Sequence, residues 1–187
     1  MKLLVAAAEA ELQAFPSHID GYEILVTGIG KLRAAVRLTQ ALERGTYDEI
    51  LVVGTAGCVD ESLMAGVHDI SRALQHDVQN LAGVVGEHVT LPAVIELERD
   101  GVTIATGDSF VDDSTVVATV RGLGASLIDM ESYAFAWVAQ EYGVPLRIVR
   151  VVSDKAEDGA TELWDEVVAR CSVELWAWMQ AEYGVSA

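Results

Sequence analysis

Glu49-Ile50-Leu51-Val52-Val53-Gly54 decides the fold. Its apolar residues run without alternation, so it is not a strand with one face in water, which would alternate with period two. Both of its faces need cover, as in a sheet flanked by helices on both sides. Working outward, the same texture recurs. Lys2 to Ala7, Glu23 to Thr27, Val67 to Ser71, Val102 to Thr106, Ser126 to Asp129 and Leu146 to Val152 read as further strands. Between them, Lys31 to Arg44 reads as a helix, with Leu32, Ala35, Val36, Leu38, Thr39 and Leu42 at helical spacing. Ser132 to Tyr142 is a second helix, stopped by Gly143 and Pro145, and Thr161 to Tyr183 closes the chain, with Thr161 and Glu162 at its start. No repeat, linker or low-complexity tract interrupts residues 1–187. The pattern predicts a single α/β domain of three layers, helices on either side of a central sheet.

Composition narrows the function classes. Hydrophobic residues make up 51% of the 187, enough for a sizeable core, and 29 acidic against 12 basic residues give a net charge of −17. That excess excludes nucleic acid and anionic membrane surfaces as partners, since both demand a basic patch. No apolar run approaches the roughly 20 residues of a spanning helix. The start, Met1-Lys2-Leu3-Leu4-Val5-Ala6-Ala7-Ala8, is interrupted by Glu9 and Glu11 too early for a signal sequence and reads as a buried first strand. Cys58 and Cys171 lie far apart and fit buried thiols in a reducing, cytoplasmic setting. His18, His68, His76 and His88 form no metal-binding spacing, so neither metal nor cofactor is expected.

In a sheet covered on both faces, ligands bind beyond the carboxyl ends of the strands. Polar residues just past strands are therefore the candidates: Glu9, Glu11, Gly28 to Lys31, Thr55, Asp108, Glu131, Ser153 and Asp154. Gly28-Ile29-Gly30-Lys31 leads from a strand into a helix. It is either a tight turn or a place where backbone amides meet an anionic or polar ligand. It is not a dinucleotide fingerprint, because Arg33 stands at the third glycine position. Gly54-Thr55-Ala56-Gly57 admits a sharp turn or a close ligand approach, and on local grounds the turn is the simpler reading. Glu131 leads into a helix and Asp154 ends an apolar strand. A carboxylate at such a mouth is partly desolvated, which raises its pKa and suits it to proton transfer. Singly, each acid also fits a helix-start or turn role.

Taken in order, Thr27-Gly28-Ile29-Gly30-Lys31, Gly54-Thr55-Ala56-Gly57, Ala105-Thr106-Gly107-Asp108-Ser109-Phe110, Asp129-Met130-Glu131 and Ser153-Asp154 resemble the methylthioadenosine/S-adenosylhomocysteine nucleosidases of the nucleoside phosphorylase superfamily. The likeness spans nearly the whole chain and is most specific from Thr106 to Asp158; Ala8-Glu9-Ala10-Glu11-Leu12 matches more loosely. It implies a nucleoside phosphorylase-like fold with a mixed sheet. It implies that Phe110 stacks on the purine beside the Val111 backbone, that Glu131 receives the ribose hydroxyls, and that Met130 packs under the sugar. It further implies that Asp154 acts at purine N7 with help from Ser153, that Glu11 holds the attacking water with Thr55, and that Arg150 orients the carboxylates. The chemistry asks for the same types: an acid makes the base a better leaving group while a second carboxylate activates water, as in glycoside hydrolysis.

The chain departs from this family in a short Arg72–Arg99 segment, in Ser132-Tyr133 where small residues are usual, and in Ala8, which replaces a larger residue. Related phosphorylases carry an arginine after the first strand and another where this chain has Val52. Here the first loop is acidic, and its glutamates would repel phosphate by roughly a few kcal/mol at low effective dielectric. Water is therefore the expected nucleophile, with a phosphate-using enzyme and a non-catalytic nucleoside-binding protein as alternatives; Arg33 and Arg72 are the residues able to serve phosphate instead. The likeness also implies a homodimer, to which Trp137, Trp164, Trp176 and Trp178 contribute candidate contact surface.

Overall fold

A computed structural model describes residues 1–63, 65–111, 113–155 and 164–186, with Asp154 and Lys155 described by backbone only. The elements run β1 (Lys2–Ala6), a 3₁₀ turn (Glu9–Leu12), β2 (Tyr22–Val26), α1 (Lys31–Arg44), β3 (Glu49–Cys58), β4 (Val67–Gln75), β5 (Val94–Glu96), β6 (Val102–Thr106), α2 (Ser114–Gly122), β7 (Leu127–Asp129), α3 (Ser132–Tyr142), β8 (Leu146–Lys155) and α4 (Trp164–Tyr183). Of the expected closing helix, Thr161 and Glu162 lie outside the described residues. No helix among the described residues is long and apolar enough to cross a membrane.

The two-faced burial expected of the apolar strands is present residue by residue. Leu3 and Val5 of β1, with Ile50 and Val52 of β3, enter one core cluster together with Ala34, Leu38, Phe135 and Val138 of α1 and α3. Leu4, Ala6, Leu51 and Val53 enter the opposite cluster with Cys171, Leu175 and Met179 of α4. A third cluster packs Val117 and Val120 of α2 against Ala105 and Ile128. Strand β8 obeys the same alternation, with Ile148 in the first cluster and Val149 and Val151 in the second. Its Arg147 is tolerated because Asp69 takes both ends of the guanidinium at 2.6 and 2.9 Å, and Glu182 of α4 adds a bond at 2.8 Å.

The sheet has eight strands and is mixed. β1 lies between β2 and β3, parallel to both. β3 also pairs in parallel with β8, which pairs antiparallel with β4. β4 continues to β6 and β6 to β7, both parallel, and β7 returns antiparallel to the end of β3. Pairing thus closes into a ring, β3–β8–β4–β6–β7. The ring corrects the reading of Gly54-Thr55-Ala56-Gly57 as a turn. These residues continue β3, hydrogen-bonded along β8 from Gly54 opposite Arg150 to Gly57 opposite Asp154, with a register shift after Ala56.

Three elements went unforeseen: the 3₁₀ turn, β5 and α2. α2 is rich in β-branched residues (Thr115, Val116, Val117, Thr119, Val120), which argue locally against a helix. It forms because Asp113 caps it, accepting from Thr115 N at 2.6 Å, and because Val117 and Val120 are buried. The expected stripe on α1 also shifts: Ala34, Leu38 and Ala41 are buried, whereas Leu32 and Val36 are 80% and 53% exposed. Trp176 and Trp178 pack against one core cluster and Trp137 against the other, whereas Leu32 and Val36 on α1, and Leu81, Val84, Val85 and Val89 in the loop before β5, are exposed.

Candidate active site

Beyond the carboxyl ends of β1, β3, β7 and β8 opens a cavity of about 370 Å³. Glu11, Thr55, Phe110, Val111, Met130, Glu131 and Ser153 all line it, joined by Ala8, Ile29, Asp129, Trp164 and Val168. Arg150 sits behind this wall. The walls are mostly apolar and carry a few convergent polar groups, the usual character of a small-molecule site.

Glu11 reaches the cavity because the 3₁₀ turn folds the chain back directly after β1. Its carboxylate is buried and fully engaged. Oε2 accepts the N–H groups of Ala7 and Ala8, each at 3.1 Å, and Oε1 accepts Thr55 N at 2.7 Å and Thr55 Oγ1 at 3.0 Å. Thr55 therefore acts on Glu11 first, fixing the rotamer of the carboxylate. Directly beneath lies Gly54, where no side chain fits. A Cβ there would stand 2.8 Å from Glu11 Oε1 and 2.7 Å from Arg150 Nη1.

Arg150 is wholly buried and pairs with Asp129 rather than with Glu11 or Glu131. Its Nε and Nη2 donate to Asp129 Oδ2 at 3.2 and 2.8 Å, and Nη2 donates to Ser132 Oγ at 3.1 Å. Asp129 also accepts Thr106 Oγ1 at 2.7 Å, Ser132 Oγ at 2.6 Å and Ser132 N at 3.0 Å. Burial works to lower the Arg150 pKa, but Asp129, Glu11 and Glu131 outweigh it and raise it, so the guanidinium stays charged.

Glu131 stands at the N-cap position immediately before α3, but its side chain makes no capping hydrogen bond. Its Oε1 turns instead to Gly30, whose N–H donates at 2.7 Å. Gly30 is in the left-handed region, φ 99°, which only glycine adopts without strain and which aims this amide at the carboxylate. Burial, and then the charge on Asp129, push the Glu131 pKa up to about 8 against the opposing pull of Arg150 and the Gly30 amide. Ser153 is buried and donates from Oγ to Ala56 O at 3.2 Å. Phe110 stands half-exposed at the mouth, edge-on to Trp164 with ring centroids 6.2 Å apart. The Asp154 backbone lies beside Gly57; its side chain is outside the described residues.

Sequence reasoning thus named most of the wall but passed over two residues that matter. Asp129 enters the sequence pattern only as the start of Asp129-Met130-Glu131, although an acid ending a buried strand is itself a signal. Trp164, by sequence one of four candidate contact-surface tryptophans, opens α4 and lines the pocket. Arg33 and Arg72, the residues held open for phosphate, do not line the cavity. Arg33 lies across Gly28, and Arg72 of β4 pairs with Glu96 of the outermost strand β5 at 3.1 Å.

The chain is similar to known proteins in both sequence and fold. It is 35% identical over 186 residues to a 5′-methylthioadenosine/S-adenosylhomocysteine nucleosidase of Geobacillus kaustophilus, covering 84% of this chain and 79% of that one. It is 33% identical over 173 residues to one of Bacillus pumilus, covering 80% and 75%. Among solved structures it superposes on the futalosine hydrolase of Helicobacter pylori with a TM-score of 0.86 at 20% identity, covering 96% of this chain and 95% of that one. It superposes on the Streptococcus pneumoniae MTA/SAH nucleosidase in complex with 8-aminoadenine with a TM-score of 0.84 at 21% identity, covering 95% and 96%. The family model for the phosphorylase superfamily matches residues 19–175, a span that runs from β2 into α4 and takes in most of the cavity wall, and the chain accordingly belongs to the phosphorylase superfamily.

Proposed function

We propose that the chain hydrolyses the N-glycosidic bond of an adenine-type nucleoside, releasing free base and the ribose moiety. The observation that carries this reading is Glu11: a buried carboxylate held by four hydrogen bonds on the wall of an apolar cavity. Such a group suits a base for water better than a seat for phosphate, whose charge it would oppose. Relatives at 33–35% identity named 5′-methylthioadenosine/S-adenosylhomocysteine nucleosidase support the same assignment.

In this mechanism the purine lies against Phe110 beside the Val111 backbone, and the ribose sits over Met130 with its hydroxyls directed to Glu131. Asp154, supported by Ser153, protonates N7, so the electron pair of the C1′–N9 bond leaves with the base. Glu11 takes a proton from the water that adds to C1′. Thr55 holds Glu11 in place, and Arg150, through Asp129, lends positive charge to the acidic wall. Positioned acid and base groups contribute about 10²- to 10⁴-fold each, so Asp154→Asn should lower kcat by at least about 10²-fold while the protein stays folded.

The test is a panel of purine nucleosides, with and without phosphate, followed by free-base release. Adenine release without phosphate from 5′-substituted adenosines is the expected result. A phosphate requirement would make the chain a phosphorylase, and tight binding without release would make it a non-catalytic binder. Faster release of hypoxanthine than adenine would reverse the base preference. We further propose a homodimer formed through the exposed face of α1.

A further inference from the structure

Lys31 has no part in the chemistry above, yet it ties its own turn to two other segments at once. Its Nζ donates to Gln75 Oε1 at 2.9 Å and Asp77 Oδ1 at 2.7 Å, and stands 3.9 Å from Asp108 Oδ2. Its backbone N–H donates to Asp108 Oδ1 at 2.8 Å. Asp77 completes the knot by accepting Asp108 N at 2.8 Å on its other oxygen. Burial works to raise the Asp77 pKa, but the bonds from Lys31 and from the Asp108 amide outweigh it and hold it below the usual carboxylate range. One ammonium and two carboxylates thereby join the turn Gly28–Lys31, the end of β4 and the loop Gly107–Val111.

Each end of this knot abuts the cavity. Gly30, next to Lys31, holds Glu131 through its amide. Phe110, two residues past Asp108, forms the mouth. The loop is also pinned from beneath. The buried ring of His76 lies so close under Gly107 that a Cβ there would meet Nε2 at 2.2 Å, and among the described residues this Nε2 has no hydrogen-bond partner. The loop therefore rests on an imidazole below and is held from the side by Lys31 and Asp77. An isolated exposed ion pair does little, because two long side chains must be ordered for one screened contact. Lys31 differs: its side chain is only 17% exposed and it satisfies several acceptors at once.

We propose that Lys31 is a positioning residue that locks the turn bearing Gly30 to the loop bearing Phe110, setting the sugar-side and base-side walls relative to each other before a ligand enters. The inference rests on the nucleosidase reading of the cavity, with Glu131 toward the sugar and Phe110 toward the base. A wall ordered in advance removes that ordering from the cost of binding. Its loss should therefore appear in KM more than in kcat.

The experiment compares wild type, Lys31→Met, Lys31→Arg and Asp77→Asn by hydrogen–deuterium exchange of the unliganded chain and by steady-state base release. In Lys31→Met, exchange should rise in both 28–31 and 107–111 while the amides of α4 stay as in wild type. KM should rise about tenfold with kcat within about threefold, the size expected for one lost charge-assisted contact. Lys31→Arg should restore most of both, and Asp77→Asn should reproduce the exchange pattern in weaker form. Wild-type exchange at 107–111 in Lys31→Met, or a rise confined to 28–31, overturns the lock. Raised exchange in both segments with unchanged KM overturns its link to binding. A wild-type chain that releases base from no nucleoside would remove the functional reading, and the exchange comparison alone would then decide the lock.

Discussion

Gly30 donates its N–H to Glu131 Oε1 at 2.7 Å across 101 positions of sequence. The bond links a strand-to-helix turn on one side of the cavity with the residue just before α3 on the other. It also leaves α3 to be capped by another acid, since Asp129 takes Ser132 N. Two carboxylates two residues apart thus face opposite tasks. Asp129 neutralises Arg150, and Glu131 is left on the cavity wall with the charge of Arg150 at a distance and the Gly30 amide to stabilise its carboxylate.

A pH dependence follows. The folded-state pKa of Glu131, about 8, stands above its ordinary 4.5. Between those values the folded chain holds a proton that the unfolded chain has lost, so unfolding free energy falls as pH rises through this window. Glu131→Gln cannot titrate. Thermal melts from pH 5 to 8.5 should show wild type losing stability with pH more steeply than the variant. Parallel slopes in the two proteins would exclude the raised pKa. Ribose hydroxyls donating to the ionised form would expel the proton, so calorimetry at pH 7 in buffers of different ionisation enthalpy should record proton release on binding.

Glu11→Gln tests the water-activating role, with a structural consequence that sequence alone did not suggest. All four groups facing this carboxylate act as donors to it. Whichever way a glutamine amide turns, its NH₂ faces either the Ala7 and Ala8 amides or Thr55 N–H. Leaving such buried groups unsatisfied costs about 1–3 kcal/mol. The variant should melt at lower temperature and lose at least about 10²-fold in kcat, while nucleoside binding by calorimetry persists. Loss of binding along with turnover would make Glu11 a binding residue instead.

The sequence revealed the two-faced strands and most of the cavity wall, because unalternating apolar runs and acids at their ends are local signals. What it concealed depends on partners far away in the chain. Gly54 to Gly57 looked like a turn because glycines usually punctuate; β8 alongside makes them strand. Arg150 read as an orienter of the carboxylates, with none singled out; its bonds go to Asp129 and Ser132. Leu32 and Val36 matched helical spacing, but periodicity cannot say which side of α1 faces the core. Ala34 and Ala41, small enough for close packing against α3, take that side.

Those misplaced residues carry a prediction for assembly. Leu32 and Val36, four residues apart on one face of α1, are 80% and 53% exposed. If this face joins two copies, Leu32→Glu together with Val36→Glu should give a light-scattering mass near the 20.0 kDa of one chain, while wild type gives twice that. The net charge of −17 opposes association, so the wild-type dimer should tighten with added salt. A wild-type mass of one chain at both low and high salt would end the dimer proposal.

Gly54→Ala is the sharpest test of the catalytic wall, because it alters one methyl group and no polar atom. The added carbon would stand 2.7 Å from Arg150 Nη1 and 2.8 Å from Glu11 Oε1, closer than real side chains approach. Neither neighbour can retreat easily: Arg150 is fixed by Asp129 and Ser132, and Glu11 by Thr55 and two backbone amides. Overpacking of this kind costs about 1–3 kcal/mol in stability, and displacing a catalytic group by about 1 Å costs on the order of 10²-fold in rate. Gly122→Ala supplies the control. A Cβ at Gly122, in the last turn of α2, meets nothing within 4 Å. Alanine there should raise stability by about 0.5–1 kcal/mol through helix propensity and leave base release untouched. A Gly54→Ala protein with wild-type kcat would mean that Glu11 and Arg150 need not hold these positions for the reaction, and would remove Glu11 from its assigned role.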